Sequence, residues 1–500
     1  MRFAHLEGTG AFRALNDRSR PDDDRNSTFK EIVTMNTPSD NPWFNEVSKR
    51  DVPNNSHSGL LILAGMALCV AAIPAFAQDL PATETAPEEG YTVPPRVATP
   101  IVMKTLPDAA CDLHTVGVTD AAHSLRIYAN GDGYFKFHVT PRQEAVEGDH
   151  MQIDCTSDGK VTTYLLHVRA SDAPTPDMPA PQTVMPPPSG SKVLPALTES
   201  EAQSLSREEL LARGYPPRPD AADLPDNYMK WLKAVSRPIT VLPSHAVAHT
   251  EISHHQSGVQ EGPTADWNTH WSGFVAGPTQ SGYYEGIQAT WNVPEVVGGA
   301  GIKTHTYSGY WVGLDGYPPS GDVEQAGTEQ DVISTLLSDY AHYYAWTELY
   351  PTQLQAQEVM SVNAGDPMTV WVWIGDANTD VDPNGAYVWY YIFDSVSSEL
   401  VFTSTTLNGT NHTLTSAEWI MERPVTYPSD YFALLSNYHH AYMNDAYVQN
   451  FDGTWLAAET ASYLQLTMYN DYYVDDDDNE LSSAVLTGPA SIAFDWHNFH

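Results

Sequence analysis

From about Asn268 onward, the chain becomes a series of short runs dense in β-branched and aromatic residues. Met368–Ile374 reads Met-Thr-Val-Trp-Val-Trp-Ile, and Ala386–Phe393 reads Ala-Tyr-Val-Trp-Tyr-Tyr-Ile-Phe, with Asp382-Pro-Asn-Gly385 between them as a turn. Glu399–Thr406 and Ser462–Met468 continue the series. Such side chains fit a pleated, half-buried surface, and Pro, Asn and Gly punctuate it. Many short strands with turn signals predict an all-β sandwich. No repeat of 20 to 50 residues competes with that reading.

The 500 residues are too many for one core, and five segments are expected. Residues 1–77 read as leader and signal peptide: Lys49 and Arg50 precede an apolar run over 59–77 that ends Ala75-Phe76-Ala77. The run is near the lower length of a membrane span, but Pro74 and the Ala-x-Ala ending favour cleavage after Ala77. Residues 98–170 read as a small β module. Leu125–Tyr128, Tyr134–His138 and Thr162–Val168 are its strand-like runs, and Asn130-Gly-Asp-Gly133 is a hairpin turn. Cys111 and Cys155 flank much of it and can pair in an oxidising compartment. Residues 171–196 are a Pro-rich linker. Residues 197–265 open with a capping box at Ser206–Glu209, and Gly214 can end that helix. Tyr228–Lys233 is a further helical turn. Residues 266–500 hold the sandwich.

Charge narrows the function. Lys plus Arg number 24 against 63 Asp plus Glu, a net charge of -39. That excludes the basic footprint a nucleic acid or an anionic membrane needs. From Trp271 to His500 there are 29 acidic residues and two basic ones, Lys303 and Arg423. Below about pH 4 exposed carboxylates protonate and their mutual repulsion falls away, which suits work in acid.

Three stretches carry candidate chemistry. The first is Trp311-Val-Gly-Leu-Asp315-Gly, with Gln325-Ala-Gly327 after it; the second is Tyr343-Tyr-Ala-Trp346-Thr-Glu348-Leu-Tyr-Pro351; the third is Ser416-Ala-Glu418-Trp-Ile-Met-Glu422. Peptide hydrolysis needs water deprotonated, an oxyanion stabilised and a leaving amine protonated. One carboxylate can do the first and last, and a neutral amide can do the second at any pH. Together the stretches resemble the glutamic peptidases, or eqolisins, over roughly residues 265 to 500. The resemblance implies two packed antiparallel sheets of concanavalin-like, jelly-roll type. It implies Glu418 as acid/base and Gln325 as the water-orienting, oxyanion-stabilising partner. It also implies Trp271 and Trp311 as cleft-lining aromatics, Asp315 as an acid near Gln325, and Glu348 as a second glutamate beside the dyad. The pro-segment reading of 197–265 comes from the same resemblance. Glu324, Thr347 and Arg423 depart from the family pattern.

The function implied is a secreted, extracellular or periplasmic, pepstatin-insensitive acid endopeptidase. It would act as a monomer on unfolded or flexible polypeptides, away from membranes once its signal is cleaved, without cofactor or metal. His245, His249, His254 and His255 lack regular ligand spacing and read as a solvated linker. Asp475–Asp478 lacks the Gly and closing Glu of a calcium loop and reads as a charged turn. Two rivals remain open: a carbohydrate-binding sandwich using Trp311, Trp346 and Trp371 as platforms, and a glycosidase using Glu348 and Glu418.

Overall fold

A computed structural model of the chain describes residues 90–499 apart from 118–123, 144–147, 174, 176–177, 244–247, 255–266, 278–282, 299–303, 318–321, 377–385, 408–411, 427–430 and 471–478. The chain divides after Ala77, and every described residue lies in the second unit, Gln78–His500. The leader, the Asp382–Gly385 turn and the Asp475–Asp478 run fall outside the described residues. Among the described residues no helix is long and apolar enough to cross a membrane.

The C-terminal half is mostly strand, as its composition predicts, and builds two large sheets. The first runs in the order Ser462–Tyr469, Trp271–Ala276, Ala417–Glu422, Gly309–Asp315, Val323–Ser334, Ser338–Tyr350, Gln357–Ser361, antiparallel throughout. The second runs Glu399–Thr406, Ala386–Asp394, Pro367–Asp376, Tyr284–Asn292, His440–Asn450, Ser491–Trp496, Glu480–Gly488. Ser462–Tyr469 also pairs with Glu480–Gly488, so it belongs to both sheets. Val312, Leu314, Ala326, Trp419 and Met421 from the first sheet meet Ile287, Trp291, Val370, Val372, Val388 and Ile392 from the second in one core.

Strand alternation then decides which side chains face elsewhere. In Ala417–Glu422 the odd positions fill that core, which turns Glu418, Ile420 and Glu422 to the opposite face of the sheet. That face is buried too. Ile252, Trp271, Val275, Trp311, Tyr344, Trp346 and Ile420 form a second apolar cluster over it. Val323–Ser334 is accordingly buried at every position.

The N-terminal β unit has a sheet in the order Tyr91–Val93, Lys160–Ala170, Asp149–Ser157, Ala110–Thr115, Ser124–Tyr128. A disulfide joins Cys111 to Cys155 across two adjacent strands. Asn130 builds the predicted turn, its Oδ1 accepting from Asp132 N and Tyr134 N while Gly133 takes a φ of 82°. The unit does not stand apart from the sandwich. Its strand Tyr134–Pro141 pairs with Ser338–Tyr350, and Ile333 and Tyr340 pack into its core beside Phe135 and Phe137.

The Pro-rich linker hydrogen-bonds along this unit, with Thr92 N donating to Pro179 O and Val102 N to Gln182 O. Helices Glu199–Ser204 and Arg207–Ala212 both carry complete capping boxes, the second at Ser206 and Glu209 as expected. With Pro225–Val235 they cover the outer face of the second sheet, where Leu210, Trp231 and Val235 meet Trp371, Trp373, Tyr391 and Phe393. Farther on, the chain crosses to the first sheet. Ile252–Ser253 pairs with Val425–Thr426, and Ile252 O accepts from Ala356 N at 3.0 Å.

Candidate active site

The strands bearing Gln325 and Glu418 are not paired with each other. Gly309–Asp315 lies between them, and Gly313 is the register partner of both residues. Adding the outer strands gives one row across the sheet: Val275, Glu418, Gly313, Gln325, Glu348. Residues in one row point to one face. Two strand spacings put the Cα atoms of Gln325 and Glu418 about 10 Å apart. Gly313 has no side chain to fill that interval. A Cβ there would lie 3.1 Å from Gln325 Cβ and 2.9 Å from the Trp311 ring.

Gln325 and Glu348 touch directly, with Nε2 of Gln325 donating to Glu348 Oε2 at 3.2 Å. Gln325 Oε1 is buried with no hydrogen-bond partner among the described residues. Burial pushes the Glu418 carboxyl well above its usual range; the Ser416 hydroxyl and Tyr317 backbone oppose the rise, and the charges of Asp315 and Glu324 add to it. Burial lifts Glu348 to about 7, against the pull of His254 and the Ser253 hydroxyl.

Asp315, at a φ of 59°, turns back toward the loop before the Glu418 strand. Its carboxylate accepts from Thr413 N and Oγ1, Leu414 N and Thr415 N. It therefore anchors the entry to that strand. Trp271 and Trp311 meet edge to face with ring centres 5.1 Å apart, and Trp311 Nε1 donates to Glu422 Oε2 at 2.7 Å.

A short strap of the chain lies over this row. Ser253 Oγ donates to Glu348 Oε1 at 2.7 Å, and His254 N to Glu348 Oε2 at 2.8 Å. Gln325 Nε2 donates to the carbonyl oxygen of His254 at 2.5 Å. The His254 ring stacks on Trp346 with centres 3.8 Å apart and planes 7° apart. Its Nε2 is 3.1 Å from Glu329 Oε2 and its Nδ1 3.2 Å from Glu422 Oε2. His254 is fully buried, where the sequence suggested a solvated linker. His245 and His255 lie outside the described residues, as does the side chain of His249. Glu329, Glu422 and His254 were therefore missed as site residues. Glu329 shares strand parity with Gln325, and Glu422 with Glu418. That parity was the available signal.

For a metal, Asp315, Glu324 and His412 bring one ligand atom each within 4.8 Å of one another, the one such group among the described residues. The Asp315 oxygens are taken by the Thr413–Thr415 segment, and Glu324 and His412 are paired with each other. The group is an ion pair beside a loop anchor. The aromatic platforms for sugars are also occupied: Trp311 and Trp346 are buried beside the strap, and Trp371 under the helices.

A model of the Peptidase A4 family matches residues 269–486. The match covers 218 of the 500 residues, so the likeness to that family is one of the C-terminal part. The peptidase is thus a glutamic endopeptidase, acting on polypeptides. No curated protein sequence matches it. Among solved structures it is similar to scytalido-glutamic peptidase with a transition state analog inhibitor, at 17% identity over 46% of this chain and 98% of that one, with a TM-score of 0.35. It is also similar to SCP-B of the eqolisin family in complex with the tripeptide Ala-Ile-His, at 16% identity, 46% and 98% coverage and a TM-score of 0.34. Aspergilloglutamic peptidase from Aspergillus niger is 16% identical over 38% of this chain and 99% of that one, with a TM-score of 0.29.

Proposed function

We propose that the peptidase hydrolyses unfolded polypeptides in acid through a dyad of Glu418 and Gln325, after secretion. The observation that carries this reading is the shared row, with Gly313 leaving the space between the two side chains open. A water there meets a carboxyl on one side and an amide on the other. Glu418 takes a proton from the water as it attacks the substrate carbonyl. Gln325 Nε2 donates to the oxygen as it becomes an oxyanion. Glu418 then gives the proton to the departing amine. Glu348, which accepts from Gln325 Nε2, orients that amide. Trp271 and Trp311 line the cleft, and Asp315 holds the Glu418 strand in place.

The segment 197–265 acts as a pro-segment in this reading. The carbonyl of His254 already occupies the donor of Gln325, and a substrate cannot enter until the strap leaves. Displacing it admits water to Glu418 and removes part of the desolvation that raises its carboxyl. The carboxyl can then ionise at lower pH and serve as a base. The apolar run ending at Ala77 and the Cys111–Cys155 disulfide support export to an oxidising compartment.

The test is to incubate the full chain at about pH 3.5, near ordinary carboxyl pKa values, with a denatured protein substrate and with pepstatin or a chelator present. Cleavage that survives both reagents, and accompanies release or displacement of the pro-segment, is expected. Full activity of the uncut chain at neutral pH would sink the pro-segment role.

A further inference from the structure

We infer that the peptidase carries a subsite for a substrate histidine, the residue whose carbonyl Gln325 holds. The inference rests on the dyad reading above. The subsite is a slot on the same face as the dyad, walled by Trp346, Glu329 and Glu422 and floored by Gly309.

His254 shows how the slot is used. One residue of the strap does two things at once: its carbonyl accepts from Gln325 Nε2, and its side chain enters the slot. A substrate strand lying as the strap does would place the same residue in both positions. The slot is built for a flat ring. Gly309 is the register partner of both Glu422 and Glu329, so it lies between the two carboxyls. A Cβ on Gly309 would stand 2.5 Å from Cε1 and 2.8 Å from Nδ1 of the His254 ring. Any other residue at 309 would close the slot. Trp346 covers one face of the ring in parallel.

The chemistry of the walls selects the occupant. Glu329 and Glu422 are fully buried and face opposite nitrogens of one imidazole, at 3.1 and 3.2 Å. Trp311 Nε1 holds the Glu422 oxygen that faces the ring. An imidazole ring carries nitrogens on opposite sides of one plane, so it brings one to the Glu422 oxygen that Trp311 also holds and the other within 3.1 Å of Glu329. A lysine ammonium is one point charge on a long stem and does not stack. A leucine leaves two buried carboxyls without a partner, and sites built to hydrogen-bond a side chain reject the analogue that lacks it.

Two measurements test this. In the first, the acid-processed full chain is given two peptides that differ only by His or Leu at one position, with cut sites read by mass spectrometry. Cleavage after His with kcat/KM at least about tenfold above the Leu peptide is expected, and E329Q and E422Q should each bring that ratio toward one. Equal rates for the two peptides, or a ratio untouched in both variants, would overturn the subsite. The second measurement covers the case in which a glutamate variant does not fold. H254G in the full chain empties the slot while keeping its walls. Imidazole should raise the Tm of H254G and leave that of the wild-type chain and of H254G/E329Q unchanged. No imidazole-specific rise in H254G would equally overturn the proposal. The dyad reading fails separately: cleavage with His preference retained in E418Q removes the dyad and leaves the slot.

Discussion

Gln325 and Glu418 face one space from two strands that never pair, and each performs a chemically separate task in the proposed reaction. Their removal should therefore differ in kind. Gln325→Ala removes an oxyanion donor, which costs about 10²–10³ in kcat. Glu418→Gln removes the carboxyl assigned to carry the proton, and cleavage should fall at least as far. Both proteins should remain folded by far-UV circular dichroism. Activity within severalfold of wild type in either would exclude the dyad. Glu348 has a different part: it holds the Gln325 amide and two groups of the strap. Its replacement should lower activity less than loss of Glu418.

At the scale of the element, the strand Gly309–Asp315 is defined by what it lacks. Gly313 separates Gln325 from Glu418, and Gly309 separates Glu329 from Glu422. Gly313→Val puts a branched side chain into the interval where water would sit, with Gln325 Cβ and the Trp311 ring already within 3.1 Å of the new Cβ. Displacements of this size cost about 100-fold in rate, so kcat/KM should drop by that order while the protein still melts cooperatively. Unchanged kinetics would show that the interval is not used. The strand pair joined by Cys111 and Cys155 offers a test of stability. The bond closes a sequence separation of 44 residues, and its loss in C111A/C155A should cost about 2–4 kcal/mol. Chemical denaturation of the oxidised wild type and the variant measures it.

The whole molecule is biased toward acid. Burial lifts Glu324 and Glu348 from 4.5 to about 7, and moves Glu329, Asp331, Glu418 and Glu422 in the same direction. A carboxyl raised on folding binds its proton more tightly in the native state. Its contribution is complete below the unfolded pKa and is lost as pH rises through the folded one. His138 and His305 oppose this, because burial lowers each from 6.5 to about 3 and so favours higher pH between those values. Six carboxyls outweigh two histidines, and the net charge of -39 adds repulsion as pH rises. The Tm should fall from about pH 4.5 to about pH 7. A flat or rising Tm across that window, followed by scanning fluorimetry, would refute the balance drawn here. The N-terminal β unit belongs to this whole, since Tyr134–Pro141 extends the sheet that carries Gln325 and Glu418.

Composition alone was enough to specify the sandwich. Runs such as Met368–Ile374 and Ala386–Phe393 appear as the strands Pro367–Asp376 and Ala386–Asp394, because β-branched and aromatic side chains pack well on a pleated, half-buried surface. The capping box at Ser206 was legible for a similar reason: it is satisfied within four residues. Gln325 and Glu418 were proposed from the family resemblance of their motifs and their order. Parity could place Glu418 with Glu422, and Gln325 with Glu329, but it could not say which strands would be neighbours. Gly313 and Gly309 acquire meaning only when a third strand slides between two others. His254 looked like one more polar residue among prolines and serines, and its burial depends on contacts to Gln325, Glu329, Trp346, Glu348 and Glu422, each at least 71 residues away. Local sequence sets propensity and face. Strand order, and what covers a face, depend on long-range packing that no local run encodes.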